Sequence, residues 1–248
     1  MGIRLEGAVA IVTGAAAGIG QVFSVALAAE GARVILADIA SAQQTQALIE
    51  AAGGEALSLI CDVTSETDIT AMADAALKKY GKIDILVNNA GIYPIANIED
   101  TDMALWNRII GINLTGTFLA TRSVVPTMKV AGKGKIINIS SGTFFMGTPG
   151  LAPYVATKGA VIGMARSLAA ELGDFNIQVN CIAPGLTTTP GVNNGMGEAM
   201  RDGVVMMQAN KRREIPEDMT GALLFLASSD SDFMTGQVML VDGGAARS

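Results

Sequence analysis

Residues 7–29 read GAVAIVTGAAAGIGQVFSVALAA and contain no charged side chain. A run of this length could cross a bilayer as one helix. Its glycines forbid that reading: Gly14, Gly18 and Gly20 divide it into a β-type segment, a tight turn and a helical segment. A strand that feeds through a glycine turn into a helix is the opening unit of an alternating α/β chain.

The rest of the sequence keeps that rhythm. Strand-like apolar runs at 8–12, 33–37, 56–60, 83–87, 135–139, 177–182 and 237–241 alternate with helical periods near 18–30, 41–52, 66–80, 102–129, 153–172 and 216–227. With right-handed crossovers this predicts an α/β fold of Rossmann type, a doubly wound, seven-stranded parallel sheet with helices on both faces. No linker, repeat or low-complexity tract interrupts the 248 residues, so a single domain over 1–248 is expected. Half the residues are hydrophobic and only 16% are charged, which suits strands buried on both faces. One segment departs from the pattern. Residues 186–213, LTTTPGVNNGMGEAMRDGVVMMQANKRR, are too long for a plain connection, and a substrate lid is expected there.

Composition removes several function classes. The net charge is −6 and the basic residues cluster only at Lys211-Arg212-Arg213, which argues against a nucleic-acid partner. The chain has no histidine. That excludes Ser-His-Asp and Cys-His catalysis and histidine-ligated metals. Cys61 and Cys181 alone fall short of a zinc ligand set, so they are expected as small buried hydrophobes and no metal site is expected. The N-terminal residues MGIRLE lack a signal-peptide pattern, and a cytoplasmic protein without membrane attachment is expected.

The first strand runs into Gly14-Ala15-Ala16-Ala17-Gly18-Ile19-Gly20. Glycines in such a turn let backbone amides approach a pyrophosphate at a helix N-terminus, where the dipole favours negative charge. Asp38 ends the second strand, where a carboxylate would accept hydrogen bonds from adenosine ribose hydroxyls and repel a 2′-phosphate. Neither Ala17 nor Ile39 offers a cation to that phosphate, so NAD is expected rather than NADP. Asp62, followed by Val63, ends the third strand and is a candidate for the adenine amino group. Asn88-Asn89-Ala90-Gly91 ends the fourth, beside the crevice where ligands bind in such sheets.

Tyr154 and Lys158 are four apart on a predicted helix and share one face. Bringing a phenol from about 10 to about 7 requires roughly 4 kcal/mol of differential stabilisation. A nearby ammonium, helped by an oxidised nicotinamide, can supply it, and the phenolate can then take a proton from an alcohol. The spacing alone is weak evidence. The fifth strand strengthens it by ending in Ser140-Ser141 at the same predicted crevice.

Taken together, TGAAAGIG (13–20), NNAG (88–91), Asn113, Ser141, YVATK (154–158), APG (183–185) and TGQVMLVDGG (235–244) resemble the short-chain dehydrogenase/reductase family, in family order and over nearly the whole chain. The resemblance implies that Ser141 orients the substrate oxygen, Tyr154 is the acid/base, and Lys158 lowers its pKa and binds the nicotinamide ribose. Asn113 would hold a water linking Lys158 to solvent. Pro184, Gly185, Thr189 and the backbone at Thr187 would place the nicotinamide carboxamide. Gly14, Ala17, Gly18, Ile19, Gly20, Asp38, Asp62, Val63, Asn89, Ala90 and Gly91 complete the expected cofactor contacts. A homotetramer is implied as well. Gln21 departs from the family, where a basic residue often follows the glycine turn.

The substrate pocket is expected from 141–145, Tyr93, 149–151, Leu186 and the methionines at 196, 200, 206 and 207. This lining is apolar and points to a neutral, hydrophobic secondary alcohol or ketone. NNAGIYP and FLASSDSDFMTGQ resemble bacterial aryl-alkyl secondary alcohol dehydrogenases, whereas GTFFMGTPGLAPYVATKGAVIGMARSLA resembles pyridoxal 4-dehydrogenases. NADP-linked 3-oxoacyl-carrier-protein reduction is a third alternative within the family, and Asp38 and the acidic balance argue against it.

Overall fold

In the computed structural model, which describes residues 4–195 and 197–246, the predicted alternation is realised in full. The strands are β1 (Val9–Thr13), β2 (Arg33–Asp38), β3 (Glu55–Ile60), β4 (Ile85–Asn88), β5 (Gly134–Ile139), β6 (Ile177–Pro184) and β7 (Val238–Val241). They lie in the order β3-β2-β1-β4-β5-β6-β7, and every pair is parallel. The chain steps outward from β1 to β3, returns to β4 at the other side of β1, and then steps outward the opposite way. That reversal opens a crevice at the C-terminal ends of β1 and β4.

The helices are α1 (Gly18–Ala29), α2 (Gln43–Ala51), α3 (Glu66–Tyr80), α4 (Met103–Ile110), α5 (Gly116–Ala131), α6 (Thr143–Met146), α7 (Ala152–Leu172), α8 (Pro190–Gly195), α9 (Glu198–Met207) and α10 (Thr220–Ala227). The alternating side chains of the strands divide the core into two layers. Ile11, Ile35, Leu86, Ile136 and Val179 pack against α3, α5 and α7, through residues such as Met72, Leu119 and Val161. Val12, Leu36, Val87, Ile137 and Ile182 face the other way, onto Phe23 of α1, Ile49 of α2 and Leu223 of α10. Cys61 and Cys181 are free thiols within the first of these layers, as small buried hydrophobes. No helix among the described residues is long and apolar enough to cross a membrane.

Local signals set the helix ends. Ser65 caps α3 by accepting from the Asp68 amide, Glu66 and Asp68 complement its first turn, and Gly81 closes it in the left-handed conformation. Asp102 caps α4 by accepting from Leu105 N at 2.7 Å. The helical period expected over 102–129 is not one α-helix. A π-helical turn at Gly111–Thr115 joins α4 to α5, and it carries Asn113.

The segment 186–213, for which no regular period is read, contains α8 and α9. Gly203 inside α9 and Gly191 inside α8 weaken the sequence signal for both helices. Met196 lies outside the described residues, as does the Met200 side chain, so neither enters the description of the pocket.

Ile11 is fully enclosed at the centre of the sheet, whereas Val130 is almost fully exposed on α5. Ile11→Ala is expected to lower unfolding stability by about 2–5 kcal/mol, and Val130→Ala to stay within about 0.5 kcal/mol of the parent, in denaturant titrations at matched protein concentration.

Candidate active site

The crevice is one cleft of about 1810 Å³ that passes over the C-terminal ends of β1 to β6. All of the expected catalytic and cofactor residues except Gly20 and Asn113 line it: Gly14, Ala17, Gly18, Ile19, Asp38, Asp62, Val63, Asn89, Ala90, Gly91, Ser141, Tyr154, Lys158, Pro184, Gly185, Thr187 and Thr189. Of the expected substrate lining, Tyr93, Ser141, Thr143, Pro149, Leu151, Leu186 and Met207 face the cleft, whereas Phe144 packs beside Gly159, Phe145 packs on the core and Met206 is exposed. Gly20 and Asn113 stand behind its wall and brace it.

The glycine turn is shaped by contacts that leave no room for side chains. A Cβ on Gly20 would overlap the Gly14 carbonyl, and one on Gly14 would press on Asn89 and the Ala90 backbone. Gly14 also sits at φ +67°, in the left-handed region. The Asn89 amide donates to the carbonyls of Thr13 (2.9 Å) and Gly14 (3.1 Å), which pins β4 to the turn. From behind, the buried Thr45 hydroxyl donates to Ala15 O at 2.9 Å and accepts from Gln21 Nε2 at 3.0 Å. The N-terminus of α1 has no side-chain cap and no acidic residue in its first turn. Its open amides therefore face the cleft with the positive end of the helix dipole, a fit for a dinucleotide's pyrophosphate.

Asp38 is held at the end of β2 with both oxygens engaged by backbone. Oδ2 accepts from Ala16 N and Oδ1 from Ala40 N, each at 2.9 Å. A carboxylate oxygen keeps a second acceptor position after one such bond, so a fixed Asp38 can still take hydroxyl donors. Asp62 is committed differently: its Oδ1 accepts from Thr64 N (2.8 Å) and Thr64 Oγ1 (2.7 Å) within its own turn.

At the chemical end, β5 delivers Ser141 and α7 delivers Tyr154 and Lys158. The Ser141 hydroxyl stands next to the Tyr154 phenol, and it accepts from Thr143 Oγ1 at 2.9 Å. Desolvation pushes the phenol above its ordinary value and the Ser141 contact opposes this. The Lys158 ammonium lies 5.5 Å from the Tyr154 ring centre and donates to Ile139 O at 2.7 Å. Burial lowers its pKa to about 8. In the chain alone, therefore, the phenol is not drawn down as expected of the complete site, because burial outweighs the contact with Ser141.

Asn113 sits beside Gly91 and Lys158, as expected, but its side chain acts as a clamp. Oδ1 accepts from Ile92 N and Nδ2 donates to Ile92 O, both at 2.8 Å, with a further bond from Nδ2 to Thr157 Oγ1 at 3.3 Å.

Tyr93 is in the cleft wall, where the substrate pocket is expected: its hydroxyl faces Thr189, and its ring stands edge-on to Tyr154 with 6.2 Å between centres. One feature of the site had no sequence signal. Glu214 follows the basic triplet 211–213 and reads as a surface carboxylate, yet it is buried against Gly185 and Thr187. Only the return of the chain from α9 brings it there.

Comparison with known proteins agrees with this architecture. A family model described as enoyl-(acyl carrier protein) reductase matches residues 14–246. The chain is 42% identical to a 3-alpha-(or 20-beta)-hydroxysteroid dehydrogenase of Mycobacterium tuberculosis, over 97% of this chain and 90% of that protein. It is 39% identical to the 3-oxoacyl-(acyl-carrier-protein) reductase FabG of Thermotoga maritima, over 98% and 99% of the two chains. It is also 39% identical to trans-4-hydroxycyclohexanecarboxylate dehydrogenase of Sinomonas cyclohexanicum, over 97% and 93%. A solved structure assigned as a short-chain alcohol dehydrogenase from Sinorhizobium meliloti superposes with a TM-score of 0.93 at 36% identity, covering 98% of each chain. With a dinucleotide-shaped glycine turn, the Ser141, Tyr154 and Lys158 group and full-length relatives of this kind, the chain belongs to the short-chain dehydrogenase/reductase family, whose members are oxidoreductases of alcohols and ketones that use NAD(H) or NADP(H).

Proposed function

We propose that the protein is an NAD-dependent dehydrogenase and ketone reductase for neutral, hydrophobic secondary alcohols and their ketones, aromatic or alicyclic. One observation carries the reading: a single cleft runs from the fixed carboxylate of Asp38 to the hydroxyl pair of Ser141 and Tyr154. Asp38 suits the adenosine ribose hydroxyls, and its neighbours Ala17, Ile39 and Ala40 give a 2′-phosphate no cation. The basic residues of the cleft wall, Arg108 and Lys158, stand on α4 and α7, away from β2.

When bound, the nicotinamide supplies hydride transfer. The chain's own residues handle the oxygen and its proton. Ser141 donates to the substrate oxygen and holds it beside the phenol. Tyr154 takes the alcohol proton in oxidation and returns it in reduction. Lys158 supports the phenolate through its charge and binds the nicotinamide ribose. The side-chain amide of Asn113 is committed to Ile92 and Thr157, so a relay water would sit at its main-chain carbonyl, which accepts from Thr117 Oγ1 at 2.9 Å and keeps a second acceptor position. Pro184, Gly185, Thr187 and Thr189 hold the nicotinamide end, and 186–213 forms the lid.

The substrate class follows from the lining. Tyr93, Met146, Pro149, Leu151, Val192 and Met207 surround the reacting hydroxyls with mainly apolar surface. Two relatives are named for hydroxylated ring compounds, a steroid and a cyclohexanecarboxylate, which supports an alicyclic or aromatic substrate. The Thermotoga relative is named for a 3-oxoacyl group on a carrier protein. Asp38 and the net charge of −6 weigh against that substrate here. Exposed Met103 and Phe118 on α4 and α5 offer apolar surface for further copies in a homotetramer.

Tyr154→Phe is expected to lower turnover by about 10²–10⁴-fold while NADH binding, followed by cofactor fluorescence, is retained. Survival of turnover would remove Tyr154 from the mechanism. Asp38→Ser should narrow the NAD-over-NADP preference in kcat/KM by about tenfold or more, since it removes a charge that repels the 2′-phosphate; an unchanged ratio contradicts the assignment of Asp38. The pH profiles should run in opposite directions. Tyr154 must be ionised to accept a proton and neutral to give one, so oxidation rises with pH and ketone reduction falls. Lys158, titrating at about 8, loses its charge as pH rises and limits the gain on the alkaline side. Parallel profiles in initial-rate measurements would contradict this.

A further inference from the structure

Immediately after the basic triplet the chain turns inward, and Glu214 is left 4% exposed. Residue 214 forms an isolated parallel bridge with Thr187. Its carbonyl accepts from Thr188 N at 2.7 Å, its Oε2 from Gly185 N at 3.0 Å, and its Oε1 from Thr187 Oγ1 at 2.8 Å. One residue thus holds three members of the turn that leaves β6. The fit is tight, because a Cβ on Gly185 would press on Oε2 and on the Asp242 backbone. The preceding residue points the other way: Arg213 is ion-paired with Glu198 and Asp202 of α9. Adjacent side chains therefore tie the turn on one side and the lid helix on the other.

A carboxylate is a costly choice for this position. From the end of β7 it faces Asp242, and from the turn before α10 it faces Asp218. Arg212, the nearby cation on its own segment, is bonded through both terminal nitrogens to Asp218. Burial, with these acids, pushes the Glu214 carboxyl up to about 7. A folded value above the unfolded one means that this group favours folding in acid, and that the benefit is lost as pH rises through about 7. Stability alone would be better served by a neutral side chain, so the carboxylate is explained by what the turn does.

We propose that Glu214 is a positioning residue for the nicotinamide end of the cofactor, fixing the 185–188 turn in shape and, through Arg213, coupling that turn to lid helix α9. The proposal rests on the reading that this turn meets the nicotinamide. In the ionised state the carboxylate accepts two charge-assisted bonds from the turn, whereas a neutral carboxyl accepts them more weakly.

The test is to titrate NADH into the parent protein, Glu214→Gln and Glu214→Ala over a range of pH. Cofactor fluorescence reports binding, and cofactor-free melting temperatures are measured alongside. Parent binding should weaken as pH falls through about 7, and the Gln variant should lack that step. Above neutral pH the Ala variant should bind about tenfold more weakly than the parent, with the Gln variant between them. In the same buffer the Gln variant should melt no lower than the parent, so that binding and stability move in opposite directions.

A parent and a Gln variant with equal affinity and the same pH dependence would overturn the proposal. So would weakened binding that merely tracks a lower melting temperature. If the Ala variant does not fold, the Gln variant and the parent profile decide. A parent protein that binds no NADH at any pH contradicts the reading of the cleft itself, and the proposal falls with it.

Discussion

The parallel ladder is the constraint on which the other features of this protein depend. Seven strands that run the same way can be connected only by crossovers, and the crossover helices bury both faces of the sheet. The strands must then be apolar on both sides, which is why Val, Ile, Leu and Ala fill β1, β2 and β4. With both faces closed, the chemistry moves to the edge where the strands end. Asp38, Asp62, Asn89 and Ser141 sit at or just beyond those ends, α7 brings Tyr154 and Lys158 to them, and the reversal between β1 and β4 gives them a crevice to share.

The edge is made rigid by hydrogen bonds that have no part in the chemistry. Thr13 Oγ1 accepts from the amides of Asn89 and Ala90, Asn89 holds the glycine turn, Thr45 supports that turn from behind, and Asn113 clamps Ile92. Each is a polar side chain spent on backbone near a strand end, where a buried donor or acceptor must be satisfied. The result is a preformed cleft in which Asp38, Ser141, Tyr154 and Lys158 are already oriented. Preorganisation of this kind lets a modest set of groups act on a bound alcohol without reordering the chain. Desolvation runs through the same design. It raises the Tyr154 phenol and lowers the Lys158 ammonium, so in the dry site of the chain alone both groups are pushed toward their neutral forms.

Much of this was legible in the residues. The seven strands are visible as short apolar runs, because burial on both faces leaves no polar alternation to confuse them. The glycine turn, Asp38 and the Tyr154–Lys158 spacing carry local signals strong enough to locate the cleft. Three features were not legible, each for a physical reason. The π-helical turn at Asn113 arises from the packing of α4 and α5 rather than from propensity. Helices α8 and α9 are masked by Gly191, Gly203 and a polar composition. Glu214 is an ordinary charged residue by sequence, and only the return of the chain from α9, through the Thr187 bridge, buries it under Gly185.

In the proposed function this cleft oxidises neutral secondary alcohols with NAD. Reduced-cofactor absorbance, followed with purified protein and with NAD and NADP given separately across a panel of alcohols, tests it. The panel would contain 1-phenylethanol, cyclic and terpenoid secondary alcohols, pyridoxal and a short 3-hydroxyacyl thioester. Turnover of a bulky neutral alcohol with NAD, faster than with NADP, is the predicted result. Turnover confined to NADP or to the thioester would contradict the account and give the site to acyl-thioester reduction.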